Sequence, residues 1–210
     1  MKYLINIMKY IMENWRKFKN SADFKDAGSS FAETDNQDLH TTYNVYFCGS
    51  KGRGVPQNPS EVLNSLYDLP GFKQWLYNNG NLIIMPMTAE RVTLPEGFEV
   101  QKVIGFSAGA KAAVKFSSRY PGSELILIDP WMLPISGEDF DKKATRFKFY
   151  GPSCYFTTDR LKSADANKRK TGNWHIHKLK KFKLIPSRKW KCVKKSHMSF
   201  FRDYFQGNLG

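Results

Sequence analysis

The chain has 210 residues, 41% of them hydrophobic and 15% aromatic, which is enough to build one domain with a buried core. No run of 18 apolar residues occurs, so the sequence predicts no membrane-spanning helix. The three cysteines, Cys48, Cys154 and Cys192, are widely spaced and match neither a metal-binding pattern nor a disulfide framework. We therefore expect a reducing compartment such as the cytoplasm, and we predict no metal and no organic cofactor.

The positive charge is concentrated in the last third of the chain. The formal net charge is +14; residues 1–140 carry 14 Lys+Arg and 15 Asp+Glu, whereas residues 141–210 carry 19 and 4. The basic residues are densest between Lys168 and Lys195, with aromatic side chains among them. Such a region is either a solvated face or a surface for an anionic partner. Nucleic acid is an open but not favoured partner, because no nucleic-acid-binding motif is present.

The first 40 residues are predicted to form an appendage. Residues 1–19 form a helical stripe of apolar side chains, and residues 20–40 are small, polar and acidic, which is typical of a flexible linker. Lys9 interrupts the apolar region, and no cleavage site of the A-x-A type follows, so we recognise no secretory signal peptide. The stripe consists of Leu4, Met8, Ile11, Trp15 and Phe18.

The main domain is predicted to span residues 41–210 and to begin with alternating strands and helices. A strand at 43–48 is followed by a glycine-rich loop at 49–54. A helix is predicted from Pro59 to about Asp68 with Ser60 as its cap, then a second short helix to about Tyr77 and a buried strand at 82–85. Segment 87–99 contains a proline and a glycine, so it has room for a turn or two of helix at most.

Gly105-Phe106-Ser107-Ala108-Gly109 is a G-x-S-x-G pentapeptide between an apolar strand and an alanine-rich helix. In that context the turn strains the serine backbone and exposes its hydroxyl at the end of a sheet. The two glycines are expected because the elements approach so closely that a Cβ would clash. The pentapeptide thus predicts a nucleophile at Ser107.

The rest of the chain continues the alternation. Strands are predicted at 125–128, 146–150, 154–158, within 174–185 and at 189–194, followed by a helix from His197 to Phe205. The fold class that follows is α/β, with a doubly wound, mostly parallel sheet.

Four segments in this order resemble the α/β-hydrolase superfamily. Tyr43–Gly49 is similar to the strand that enters the oxyanion loop, and Gly105–Gly109 to the nucleophile turn. Leu125–Pro130 is similar to the next strand, and Ser196–Phe201 to the histidine loop that opens a last helix. The resemblance covers about residues 41–205 and implies a small, lidless serine esterase.

The resemblance implies a catalytic triad in the order serine, acid, histidine. Ser107 would be the nucleophile and His197 the base, and the acid would be Asp159, with Asp129 as the alternative. Asp139, Asp141 and Asp165 fit the acid position less well, and His40, His175 and His177 fit the base position less well.

The resemblance also implies an oxyanion hole made of the backbone N–H groups of Ala108 and Ser50. The expected activity is hydrolysis of an ester, less favourably an amide or thioester, through an acyl-enzyme on Ser107. The substrate would be small or accessible, and the basic third of the chain allows it to be anionic.

Two other classes of function stay open. The N-terminal stripe and linker resemble the targeting peptides on internal head proteins of tailed phages, and Ile11-Met12-Glu13 is similar to the sites their maturation proteases cut. The chain could therefore be an inactive or structural protein carried in a viral particle. It could also be an anion- or nucleic-acid-binding module that uses its basic third.

Overall fold

A computed structural model of the protein describes residue 13 and residues 32–34, 42–52, 54–130, 146–150 and 195–209. Its centre is a six-stranded sheet in the order β1-β3-β2-β4-β5-β6. Strand β1 runs antiparallel to β3, and the other neighbouring pairs are parallel. The strands are β1 (Ala32–Glu33), β2 (Thr42–Phe47), β3 (Asn81–Met85), β4 (Glu99–Phe106), β5 (Glu124–Ile128) and β6 (Arg146–Tyr150).

Within the described ranges, four helices cover the two faces of this sheet, which confirms the α/β class. They are α1 (Pro59–Tyr67), α2 (Phe72–Asn79), α3 (Ala110–Ser117) and α4 (His197–Phe205). Helix α3 packs in the core cluster on one face, and α1, α2 and α4 pack in the cluster on the other. Alternate residues of each strand point to opposite faces, so both clusters receive side chains from the same strands. The central strands are accordingly buried along nearly their whole length.

Aromatic side chains fix helix α4 on the sheet. Phe201 and Phe205 lie against Tyr46 of β2, with ring centroids 6.0 and 5.2 Å apart. Phe205 also meets Phe72 and Trp75 at the start of α2. Since buried aromatic rings contribute large apolar areas, these contacts hold the first residue of α4, His197, at a defined place.

The connection between β3 and β4 agrees with the expectation of a reduced crossover. Residues 86–98 contain turns and no helix. The segment nevertheless closes one face of the sheet, because Ala89, Val92, Leu94 and Phe98 are buried in the same cluster as α3. The Tyr120 hydroxyl oxygen accepts a hydrogen bond from the Leu94 N–H, at 2.6 Å.

Two predictions about local structure are wrong. Residues 32–34 belong to the sheet and not to a free linker: Thr34 is buried, its N–H donates to Leu82 O (3.0 Å), and its hydroxyl accepts from Leu82 N–H (2.9 Å). Helix α1 is capped by Asn58, whose side chain accepts from the Ser60 N–H, because Pro59 takes the first helical position.

Several predicted elements lie outside the described residues. They are the helix over residues 1–19, apart from the single residue 13, and the strands at 154–158, 174–185 and 189–194. Within the described residues, no helix has the length and apolarity needed to cross a membrane.

Candidate functional site

The carboxyl ends of β2 and β4 lie at the switch point of the sheet. From β2 the chain continues to β3 on one side, and β4 then returns to pair with β2 on the other. In open parallel sheets such a switch point creates a crevice, and ligands bind there. The loop after β2 and the turn after β4 meet at this place, since a Cβ on Gly109 would lie 2.3 Å from the carbonyl oxygens of Phe47 and Cys48.

Ser107 occupies the strained turn that the pentapeptide predicts. Its φ is +52°, in the left-handed region that non-glycine residues rarely adopt. A 3₁₀ turn over Ser107–Gly109 leads directly into α3. Gly105 is required here because a Cβ would lie 2.6 Å from the Ala113 Cβ and 2.7 Å from the Ala110 Cα. The expected close approach of strand and helix is therefore confirmed.

The expected exposure of the serine is not found. Ser107 is 8% exposed, so the residue is buried in the crevice between the two loops. Among the described residues its hydroxyl has no hydrogen-bond partner. In unliganded enzymes the bonds of a catalytic group are often absent and form only with substrate bound.

Asp129 and His197 form a hydrogen-bonded pair next to this turn. The Asp129 Oδ2 accepts from His197 Nδ1 at 2.7 Å. Because an ionised carboxylate can only accept, the proton of a neutral imidazole is on Nδ1 and Nε2 keeps its lone pair. Asp129 is wholly buried, and the His197 side chain is 19% exposed. The pair thus has the arrangement of a base held by a carboxylate.

Strand register explains why Asp129 lies beside Ser107. Phe106 at the end of β4 pairs with Ile128 at the end of β5, so the next residues leave the sheet at the same level. Asp129 has a φ of +39°, and its N–H donates to the Tyr150 carbonyl at 2.7 Å. Within the described residues, Ser107 and Asp129 are the two non-glycine residues with positive φ.

The loop after β2 is braced at Gly49. The Gly49 N–H donates to Gln57 Oε1 (3.0 Å), and the Gln57 N–H donates to Gly49 O (3.1 Å). An isolated antiparallel bridge joins Ser50 to Pro56. Its two hydrogen bonds run from the Lys51 N–H to Val55 O and from the Gln57 N–H to Gly49 O, so they do not use the Ser50 N–H. A Cβ on Gly49 would be 3.2 Å from the Ser107 Cβ. The loop backbone therefore lies directly against the serine.

The second expected oxyanion donor, Ala108, is in the first turn after β4. The first N–H groups of a helix have no acceptor inside the helix. A backbone donor at this position is the usual partner of an elbow serine. The structure thus brings Ala108 and the loop of Ser50 to the same crevice.

Cys48 is a second nucleophilic side chain at the end of β2. It is fully buried, and burial raises the pKa of its thiol. The thiolate is the reactive form, so a thiol held in its protonated form is a poor nucleophile. Cys48 is accordingly a small apolar residue of the core and no rival to Ser107.

Lysines near the two loops are paired with carboxylates. Lys51 Nζ lies 2.6 Å from Glu61 Oε2, and Lys195 Nζ lies 2.6 Å from Asp203 Oδ2. Exposed pairs of this kind contribute little to stability. They do reduce the positive charge around the crevice in the part of the chain that is described.

The other sequence-predicted candidates cannot be compared with this site. Asp159, the preferred acid, lies outside the described residues, as do Asp139, Asp141, Asp165, His40, His175 and His177. Two residues at the site had not been predicted, Phe106 and Gln57. The ring of Phe106 stacks on that of His197, and nothing local in the sequence signals either contact. Within the described ranges, no group of three or more His, Cys, Asp or Glu side chains converges as a metal site.

Comparison with known proteins yields no match, whether against family models, curated proteins or solved structures. The function is therefore inferred from the geometry of the crevice.

Proposed function

We propose that the protein is a serine hydrolase that cleaves an ester, less favourably an amide or thioester, with Ser107 as nucleophile, His197 as base and Asp129 as acid. The observation that carries the proposal is the His197–Asp129 hydrogen bond of 2.7 Å beside a serine with a φ of +52°. A serine hydroxyl is a weak nucleophile unless an imidazole accepts its proton and a carboxylate orients that imidazole. The serine and the carboxylate follow the ends of the adjacent strands β4 and β5, and the imidazole belongs to the first residue of α4.

The mechanism follows from the orientation of the imidazole. With Nδ1–H bonded to Asp129, Nε2 is the ring nitrogen that would accept the Ser107 proton as Oγ attacks the substrate carbonyl. The imidazolium then gives this proton to the leaving alcohol, and an acyl-Ser107 ester remains. Water attacks that ester with His197 again as base, which releases the acid and restores the serine. The cycle requires Nε2 to reach hydrogen-bonding distance of Oγ when substrate binds.

The oxyanion of each tetrahedral intermediate would be stabilised by backbone N–H groups of Ala108 and Ser50. Loss of one such donor typically costs about 10²–10³ in rate. Two contacts support this assignment: Gln57 occupies the Gly49 N–H, and the hydrogen bonds of the Ser50–Pro56 bridge do not use the Ser50 N–H. The proposed substrate is a small or accessible ester, as the sequence predicts for an esterase without a lid.

The fold is proposed to be of the α/β-hydrolase type. In its support, the three groups occur in the chain order serine, acid, histidine, and the serine lies in a strand–turn–helix elbow. Most α/β-hydrolases have the acid after the strand that follows the equivalent of β5, and Asp159 would match that location. Asp129 is preferred here because its contact with His197 is observed.

The test is labelling with a fluorophosphonate probe, together with hydrolysis of p-nitrophenyl acetate. We expect one adduct, on Ser107, and we expect Ser107→Ala and His197→Ala to abolish labelling and turnover with the fold intact. Ser118→Ala is the matched control, because Ser118 lies just past α3 and donates to the Lys115 carbonyl. An adduct on another serine, or no adduct on folded wild-type protein, would refute the proposal.

An inactive protein carried in a viral particle is the alternative that the same experiment addresses. It predicts no adduct and no turnover, with a folded domain. The anion- or nucleic-acid-binding alternative depends on the basic region, and most of that region, residues 151–194, lies outside the described residues. Steep weakening of nucleic-acid binding with salt would favour it.

A further inference from the structure

Phe106 lies against two parts of the proposed catalytic site, the His197 imidazole and the loop after β2. It precedes Ser107 in the pentapeptide and is 2% exposed. Its ring stacks on the His197 imidazole with centroids 4.4 Å apart and planes 20° apart. The ring also borders the loop after β2, since a Cβ added to Gly49 would lie 3.2 Å from the Phe106 Cδ1.

The stacking supplies an orientation that the Asp129 hydrogen bond alone does not. One hydrogen bond at Nδ1 fixes a point on the imidazole but allows the ring to pivot about that point. A flat ring within 20° of parallel to the imidazole, with centroids 4.4 Å apart, restricts its plane as well. With both constraints the direction of the Nε2 lone pair is set. The face of Phe106 also favours the positive charge that His197 acquires during the reaction.

Phe106 is itself held in place by the helix that carries the histidine. Its ring is tilted against Phe201 of α4 with centroids 5.3 Å apart, and Phe201 is 5% exposed. The ring is therefore clamped between β4 and α4 and has little freedom to move. A rigid neighbour of this kind is what a precisely oriented base requires.

We propose that Phe106 is a positioning residue that sets the plane of the His197 imidazole for proton transfer from Ser107. This inference rests on the proposed function. A residue in this role affects the chemical step and leaves substrate binding largely unchanged. A merely structural phenylalanine would change stability and little else.

The test compares Phe106→Leu with Phe116→Leu. Phe116 is the matched control because it is fully buried and its ring stacks on Tyr120 with centroids 4.6 Å apart, on the opposite face of the sheet. For p-nitrophenyl acetate we expect Phe106→Leu to lower kcat about 10- to 100-fold with KM within about twofold of wild type. Phe116→Leu should keep the wild-type kcat, and Phe106→Tyr should recover most of it. Equal kcat in the two leucine variants, or a change in KM alone, would overturn the proposal.

A second measurement does not depend on turnover and separates this proposal from the proposed function. The His197 Nδ1–H proton, hydrogen-bonded to a buried carboxylate, should give a slowly exchanging downfield proton resonance that disappears in His197→Gln. We expect that resonance to persist in Phe116→Leu and to broaden or vanish in Phe106→Leu. If wild type is inactive yet the resonance behaves so, the proposed function fails, and only the orienting of the His197 ring by Phe106 stands. Absence of the resonance in wild type, or its persistence unchanged in Phe106→Leu, contradicts the positioning role.

Discussion

Replacing Asp129 by asparagine tests the identity of the acid with almost no change in side-chain volume. The carboxylate lies 2.7 Å from His197 Nδ1 and is fully buried, so water does not screen it. In the transition state the imidazole becomes positive, with its charge centre about 4 Å from that of the carboxylate. Two unit charges at that distance interact by roughly 4 kcal/mol at an effective dielectric constant of about 20.

The rate effect follows from this energy. Each 1.4 kcal/mol or so changes the rate tenfold, so Asp129→Asn should lower kcat about 10³-fold. The loss will be larger if the new amide donates to Nδ1, because that reverses the tautomer and leaves Nε2 protonated. The same change in chymotrypsin-like proteases costs about 10⁴. We expect the thermal midpoint to fall by at most about 5 °C, since the side chain keeps its shape.

Steady-state hydrolysis of p-nitrophenyl acetate and the rate of fluorophosphonate labelling measure the effect. Asp203→Asn is the matched control: Asp203 lies on α4 and pairs with Lys195 at the surface, so kcat should stay at the wild-type value. Asp159→Asn decides between the two acids. Wild-type kcat in Asp129→Asn together with a 10³-fold loss in Asp159→Asn would refute the reasoning and return the acid to the later strand.

Three further predictions concern the loop, the edge strand and the serine backbone. Gln57→Ala should lower kcat about tenfold with little change in KM, because the Gly49 N–H loses its acceptor and the proposed oxyanion loop loosens. Gln57→Glu keeps an acceptor and should hold the loop in place. Hydrogen exchange at the Gly49 N–H would measure the difference between the two variants. Deleting residues 1–40 should give a thermal midpoint about 3–10 °C lower than deleting residues 1–31, because only the longer deletion removes β1. Equal midpoints in the two deletions would mean that β1 does not stabilise the sheet. Ser107→Gly should unfold about 2–4 °C above Ser107→Ala, since glycine adopts a φ of +52° without strain, and an equal midpoint would argue against a strained turn.

Local features of the chain could be predicted from the sequence. The elbow is encoded within a dozen consecutive residues, because strand, glycine pair and helix must all be present for the turn to form. The last helix begins at His197 as expected, since Ser196 accepts a hydrogen bond from the Ser199 N–H and caps it. The proline and the glycine of segment 87–99 likewise predict a crossover without a long helix.

Contacts between distant segments could not be predicted in this way. The proposed acid is the one whose strand end lies under the first turn of α4, and Asp129 and His197 are 68 positions apart in the chain. Strand β1 has two residues within a polar segment, so it gives no periodic signal. The Gln57 brace and the Phe106 stack arise from loop geometry that neither composition nor spacing records.

Backbone strain provides an independent argument that the crevice serves a function. Where the described chain needs a positive φ elsewhere it uses glycine, at six positions. Aspartate adopts the left-handed conformation more readily than most residues, but that conformation costs serine about 1–2 kcal/mol, so a simple turn at 107 would be more stable with glycine. The two exceptions, Ser107 and Asp129, follow adjacent strands at the same level of the sheet, and Asp129 is hydrogen-bonded to His197. Strain retained at Ser107 is explained if its hydroxyl is needed where it is.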